Sequence, residues 1–599
     1  MIAGVGLRRA SIMEFTKEQV SVIEAIIDTF YAPVDIKTAH EIISESNNSK
    51  NDMMRFLTFA AQDLNPVDDF ITMIKATPKD KQALLSIVLK LLSTTAGTFL
   101  LMGGRSMKPF ASQSRKEREQ GMLRLANTKI SQLRLLFNSF FGLSVSICYG
   151  KMLDSPSGKT NPVWKAISYP GPIPERPRPP PETFWRPKFV DLSSEIRVPL
   201  KDGQYRVNLE CDVVVVGSGA GGGVVAAELA KSGLNVIVVD KSVYTHPSDY
   251  SLGELDSIQS FFEQKGTLQT EEGSMRILAG SVWGGGTTIN WSASLETPQQ
   301  VRQEWAKKYG LAYFTTSAFQ NSIEAVRERN GISDKAIKHN PSNEILLNGC
   351  KKLGYHAAAI PQNTAGKEHS CGWCTWGCPY AEKQGSYATW LKDASEFGSR
   401  FVQGAYVERV IYEKGVAKGV WAKTDNECLY IAARKFVVVS CGSIHTPALL
   451  LRSGLRNRNI GKNLRLHPVT TVSGYFPDRR ITPYSGAIMT VVSDQVANRG
   501  DGYGARLEVP TCHPSVFATL VPWNSAADHK RLMTQVDNWA TFISLTRDKD
   551  SQASVWIDKE GRPRVNFNLS PYDAESMLQG LETGIKVMIA EGAKGNFPY

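Results

Sequence analysis

A chain of 599 residues, 42% hydrophobic and 21% charged, has the composition of a globular protein long enough to bury several cores. Its net charge of +11 is modest at this length, and no face interleaves basic with aromatic residues, so nucleic-acid binding is not expected. Nine cysteines, an odd number, and no apolar core after Arg8 and Arg9 read as an intracellular, reduced protein rather than a disulfide framework.

Residues 1–168 read as a helical extension. Thr16 and Gln19 form a capping-box pattern, and Ile23, Ile26, Ile27 and Phe30 recur at helical spacing. Two stretches are unusually apolar. The first, Ala83 to Met102, is interrupted by Lys90 and by Ser93-Thr94-Thr95; the second runs from Leu133 to Tyr149. Between them, from Arg105 to Arg134, lie eight basic and two acidic residues. Two readings stay open: association with an anionic membrane surface, or a pair of core helices with a solvated charged face. Residues 169–206 form a linker, since Pro170 to Pro187 contains eight prolines, which fix φ and remove backbone donors.

The apolar run Cys211 to Val216 leads into Gly217-Ser218-Gly219-Ala220-Gly221-Gly222. A helix-like stretch follows, then Asn235 to Val239, ending in Asp240. Strand, glycine turn, helix, strand and acid in this order are what a dinucleotide-binding βαβ unit requires. Gly217 permits the tight turn, Gly219 lets the backbone approach a pyrophosphate, Gly222 lets the elements pack closely, and Asp240 accepts from ribose hydroxyls. The fingerprint alone does not choose between NAD and FAD.

A second glycine cluster, Gly280 to Asn290, contains Gly284-Gly285-Gly286, main chain bare enough for a flat aromatic or phosphate group to approach. Downstream, His369, Cys371, Cys374 and Cys378 have spacing that zinc or an iron–sulfur cluster could use. With no fourth cysteine and no second CxxC pair, the stretch reads as a loop of buried thiols and no metal is expected. A third element, Phe436 to Ser443, reads as a buried strand running into a small-residue turn. Thr446 to Leu451 then starts a helix, and Ile460 to Pro468 follows.

Together these segments resemble the glucose-methanol-choline (GMC) oxidoreductases. Gly217 to Asp240 is similar to the ADP-binding unit of that family. Gly280 to Asn290 resembles its first signature, with Ser281 where a basic or amide residue is usual. Gly442 to Leu455 resembles the second signature, and Ile460 to Pro468 its GxNLxxHP stretch. His369 to Pro379, Lys383 to Leu391, Phe542 to Asp550 and the helical extension resemble the long-chain fatty alcohol oxidases within the family.

The resemblance implies an α/β fold in which a Rossmann-like FAD-binding domain, 207–475, is interleaved with an α+β substrate or cap domain, 476–599. It implies FAD as cofactor, a long-chain primary alcohol as substrate, O2 as acceptor with H2O2 as product, and membrane association. It places Thr287 and Asn290 near the flavin and the Val407 backbone at the adenine. His467 and His445 fall at structural positions. The family's catalytic histidine is expected beyond Tyr599, so the cap domain reads as incomplete and the chain as a fragment, an alternative isoform or a degraded copy that turns over poorly or not at all. The alternative is a non-catalytic flavin-binding or scaffold protein of the same fold; a nicotinamide dehydrogenase is a third reading.

Overall fold

The Thr16 hydroxyl accepts from the Gln19 N–H at 3.3 Å while the Gln19 side chain accepts from the Thr16 N–H at 2.9 Å, and this reciprocal cap starts α1 (Lys17–Phe30). The structure, a computed structural model, describes residues 14–44, 49–104, 106–155, 158–172, 176–200 and 205–598. Arg8, Arg9, Arg105, Pro174 and Tyr599, singled out above, lie outside them. The chain divides into two units, one of Met1–Gly171 with Pro514–Thr534 and one of Pro172–His513 with Gln535–Tyr599. Residues 514–534, read above as part of the cap domain, thus belong to the helical unit.

In the helical unit the two apolar stretches have different fates. The first becomes α2 (Lys79–Leu92) and α3 (Thr95–Leu101), which meet at 110°. A Cβ at Gly97 would lie 2.2 Å from the Leu91 carbonyl oxygen, so only glycine allows this bend. Leu84, Ile87 and Leu91 share one face of α2 and are exposed, as are Phe99 and Leu100 on α3. The second stretch becomes α4 (Ser131–Gly150), more than half buried. Its Phe137 and Phe141 rings each lie 5.6 Å from Phe30 on α1, and Trp523 closes the same cluster 4.9 Å from Phe30. Among the described residues α4 is the one helix long and apolar enough to cross a membrane, and α2 with α3 would qualify only as a single bent span.

The second unit is built on two large sheets, with two two-stranded ones beside them. The larger contains β1 (Arg197–Pro199), β2 (Tyr205–Val216), β3 (Val236–Val239), β4 (Arg400–Val402), β5 (Tyr406–Glu413), β6 (Val416–Lys423) and β7 (Cys428–Val439). Its order is β4-β3-β2-β7-β6-β5, with β1 beside β2. The pairs β4/β3, β3/β2 and β2/β7 are parallel; β7/β6 and β6/β5 are antiparallel. Val213 to Val216, β3 and the adjoining end of β7 are runs of valine and isoleucine because a parallel sheet is covered on both faces. One face packs on α5 (Ala220–Lys231) through Ala226, Ala227 and Ala230. The fold is therefore Rossmann-like α/β in this part, as the sequence implied.

The smaller sheet has six strands, with Val469–Tyr475, Trp539–Thr546 and Ala505–Glu508 at its centre. The helix Pro571–Ala590 lies on it through Val587 and Met588, close enough that a Cβ at Gly584 would sit 2.9 Å from Val472.

Candidate functional site

The turn after β2 is shaped by what its glycines lack. Gly217 has φ +105°, and a Cβ there would lie 2.4 Å from the Ser440 carbonyl oxygen at the end of β7. A Cβ at Gly222 would lie 1.9 Å from the Gly217 carbonyl oxygen. α5 starts at Ala220 with Gly219 as its N-cap and no side chain capping it, and Ala220 and Gly221 are exposed. The first-turn N–H groups of this helix thus face open space at the positive end of its dipole, which suits an anion.

Ser218 binds this turn to two distant segments. It is fully buried; its N–H and hydroxyl donate to Asp240 Oδ2 at 2.8 and 2.7 Å, and its Oγ accepts from the Gly284 N–H at 2.9 Å. The second glycine cluster consequently lies on the first: a Cβ at Gly285 would be 2.9 Å from Gly219 Cα, while one at Gly286 would meet nothing within 4 Å. Two bare stretches of main chain 66 residues apart form one open cradle.

Asp240 also accepts at Oδ1 from the Ser242 N–H at 2.8 Å. Three donors leave about one of its four lone-pair sites free for a ligand hydroxyl. Its main chain pairs with Val402 and Ala405, which brings β5 and Val407 alongside. The Val407 carbonyl accepts from Arg452 at 3.1 Å, and Arg452 also binds the Glu408 carbonyl at 2.9 Å. Next to Asp240, Lys241 donates to Glu263 at 2.5 Å and to Ser281 at 2.7 Å, and His445 meets Glu263 at 3.2 Å. Burial alone would push the Glu263 carboxyl up; His445 and Lys241 more than offset this and hold it at about 2. Lys241 thus brings a cation to Ser281, the position where the resemblance leads one to expect a basic or amide side chain.

Thr287 and Asn290 are held from the other side by the cysteine loop. The buried Lys383 ammonium donates to the carbonyls of Thr288, Asn290 and Cys374 at 2.8, 2.7 and 3.1 Å. The Ser386 N–H donates to the Thr287 hydroxyl at 2.9 Å, and a Cβ at Gly385 would lie 2.7 Å from the Thr287 carbonyl oxygen. Within the loop, His369, Cys371, Cys374 and Cys378 place one donor atom each within 4.8 Å of one another.

His467 and His513 are not among these four donors. His467 is exposed at a left-handed turn with φ +39°, its N–H donating to Asp548 at 3.3 Å. His513 is buried with its Nε2 2.9 Å from the Gly372 carbonyl oxygen, and burial lowers it to about 4. Sequence reasoning did not find Lys241, Glu263, Lys383 or Arg452. Each is a single charged residue outside any motif, and only its position against main-chain carbonyls or a partner charge gives it a task.

The family model described as GMC oxidoreductase matches residues 258–469, a span that takes in the second glycine cluster, the cysteine loop and Val407. Long-chain-alcohol oxidase FAO4A of Arabidopsis thaliana is 35% identical over 569 residues, covering 86% of this chain and 77% of that protein. Long-chain-alcohol oxidase FAO3 of the same plant is 34% identical, covering 85% of this chain and 72% of its own length. The chain belongs to the GMC oxidoreductase family. It is accordingly an FAD-dependent oxidoreductase acting on alcohols. The crystal structure of formate oxidase shares the fold, with a TM-score of 0.50 at 15% identity over 65% of this chain and 84% of that one. The GMC cradle here fits FAD: a side chain at Gly222 or Gly285 would collide with main chain, and the uncapped start of α5 offers donors for a diphosphate.

Proposed function

We propose that this GMC oxidoreductase oxidises long-chain primary alcohols to aldehydes and that O2 takes up the electrons as H2O2. The observation that carries the reading is the closure of the two glycine stretches on one another at Gly219 and Gly285, beside an uncapped helix start. The named long-chain-alcohol oxidases of Arabidopsis thaliana, alike over most of the chain, support the substrate class. Bound FAD supplies a two-electron acceptor for the hydride leaving the alcohol carbon.

In this reading the N–H groups from Gly219 to Gly222 hold the diphosphate, with Gly217 and Ser218 fixing the turn. Asp240 takes a ribose hydroxyl, the Val407 backbone borders the adenine, and Gly284, Gly285, Thr287 and Asn290 border the flavin ring. The test is the purified full chain saturated with FAD. Retained yellow flavin, its bleaching by dodecanol without air, and peroxide formation in air are expected; a colourless protein overturns the reading.

Retained flavin that dodecanol does not reduce would favour the second reading, a non-catalytic flavin-binding protein. Removal of the hydroxyl proton needs a base, so the two readings part at reduction of the bound flavin by the alcohol.

We also propose that the helical unit sits on an anionic membrane surface through α2 and α3. Their exposed Leu84, Ile87, Phe99 and Leu100 supply apolar area, and the exposed Lys108, Lys116, Lys129 and Arg134 supply charge. Co-sedimentation with phosphatidylserine vesicles, lost in Leu84→Asp/Leu100→Asp, tests this. Retention by the double variant rules out that face.

A further inference from the structure

The thiols of the loop at 369–378 do not merely share a buried region; they converge. Cys371 and Cys374 are buried, Cys378 partly so, and His369 is 6% exposed. The four donor atoms lie within 4.8 Å of one another, and His369 Nε2 is 2.9 Å from Cys374 Sγ. A tetrahedral zinc with bonds of about 2.3 Å to sulfur and about 2.0 Å to nitrogen holds its sulfurs about 3.8 Å apart and its nitrogen about 3.5 Å from them. A cage no wider than 4.8 Å is of the size that closes on one ion, and the His369–Cys374 pair, at 2.9 Å, opens to about 3.5 Å on binding it.

The outer contacts have the form of a metal site too. His369 Nδ1 is 2.8 Å from Glu382 Oε2, which fixes the ring so that Nε2 faces the sulfurs. Arg176 pairs with Glu382 from the far side. The ammonium of Lys383 donates to the Cys374 carbonyl, next to where three thiolates, one neutral imidazole and a divalent ion would leave one net negative charge. Glycine is required on both sides of Cys374: a Cβ at Gly372 would lie 1.9 Å from the Tyr484 carbonyl oxygen, and one at Gly377, with φ +94°, 2.5 Å from the Tyr250 ring. The loop is thus fixed by its surroundings in the shape that aims its thiols inward.

We propose that His369, Cys371, Cys374 and Cys378 bind one structural zinc ion. This reverses the sequence expectation of no metal: the missing fourth cysteine is replaced by His369, four donors from one strand of loop suffice, and no second CxxC pair is needed. Four protein donors fill a tetrahedron and leave no open position for substrate, so the ion is a staple and not a catalyst. An iron–sulfur cube holds its thiolates around several metal and sulfide atoms and demands a wider cage. The staple lies under the cofactor cradle. Through Lys383 and Ser386 the same loop holds the main chain of Thr287 to Asn290, so the zinc fixes the floor on which the second glycine stretch rests.

Metal content can be measured whether or not flavin is bound or alcohol is oxidised. The purified full chain, loaded with excess zinc and gel-filtered, is expected to carry one zinc per chain by elemental analysis. Cobalt exchanged into the same site is expected to give thiolate-to-metal charge-transfer bands and the visible bands of tetrahedral cobalt. Cys371→Ser and Cys374→Ser are expected to lose the ion. Should they fail to fold, the wild-type cobalt spectrum and the release of zinc in step with thiols becoming reactive decide by themselves. A folded wild-type chain carrying below about a tenth of a zinc ion after loading overturns the proposal. So does stoichiometric iron with acid-labile sulfide, or octahedral cobalt bands.

Discussion

The glycine cradle and the cysteine loop lie on opposite sides of Thr287–Asn290 and are built by opposite means. In the cradle, Gly217, Gly219, Gly222, Gly284 and Gly285 act by lacking side chains, so that main chain meets main chain at Gly219 and Gly285. In the loop, function rests on side chains that converge, four donors within 4.8 Å. Absence of side chains is written in the sequence as a run of glycines. Convergence of side chains depends on where the backbone turns, and spacing alone does not supply that.

This contrast can be broken at several points. The largest effect is expected from Gly222→Ala, whose methyl has to displace the Gly217 carbonyl oxygen from 1.9 Å. Flavin per purified chain should fall to near zero, while a cradle that tolerates the methyl would retain the wild-type ratio.

Lys383→Met attacks the seam between the regions. It strands the buried carbonyls of Thr288 and Cys374 and frees the part-buried one of Asn290, and a destabilisation of about 2 kcal/mol or more is expected in denaturant unfolding. Flavin should be lost in parallel; flavin affinity unchanged in Lys383→Met would show that the loop does not support the cradle.

Glu263 provides a pH test on the cradle side alone. Its carboxyl lies at about 2 in the fold against 4.5 when unperturbed, a depressed value, so its contribution is complete above pH 4.5 and is lost as the pH falls toward 2. The difference amounts to about 3 kcal/mol at most. Glu263→Gln should flatten the acid limb of stability over that window, and an unchanged limb would remove the Lys241–Glu263–His445 cluster from the account.

The smallest effect is expected from Asp240→Asn, which keeps shape but weakens the bonds from Ser218 and Ser242. Flavin should bind about tenfold more weakly, a loss of about 1.4 kcal/mol measured by fluorescence titration. Unaltered affinity would mean that Asp240 only ties the turn together.

Much of the cradle was legible. The valine runs of β2 and β3, the glycine turn and Asp240 follow from the demands of a parallel sheet and a bare turn, and they appear where the pattern places them. The apolar stretches of the helical unit were not separable by composition. Leu133 to Tyr149 became a core helix because Phe137 and Phe141 found Phe30, whereas Leu84 and Leu100 found no cover within the unit. The helix Pro514–Leu520, 364 residues after α4 ends, belongs to that same unit, a long-range pairing that local periodicity does not report.

The family, the Rossmann-like βαβ unit and the glycines of the cradle can be read from short stretches of the chain, because a missing side chain and the apolar run of a buried strand are local properties. Only the tertiary structure decided that Ser218 joins Asp240 to Gly284, that Lys383 binds the cysteine loop to the cradle, and that His369 completes a set of three thiols. Those are meetings between distant segments, and their geometry exists only once burial has fixed the backbones that carry them.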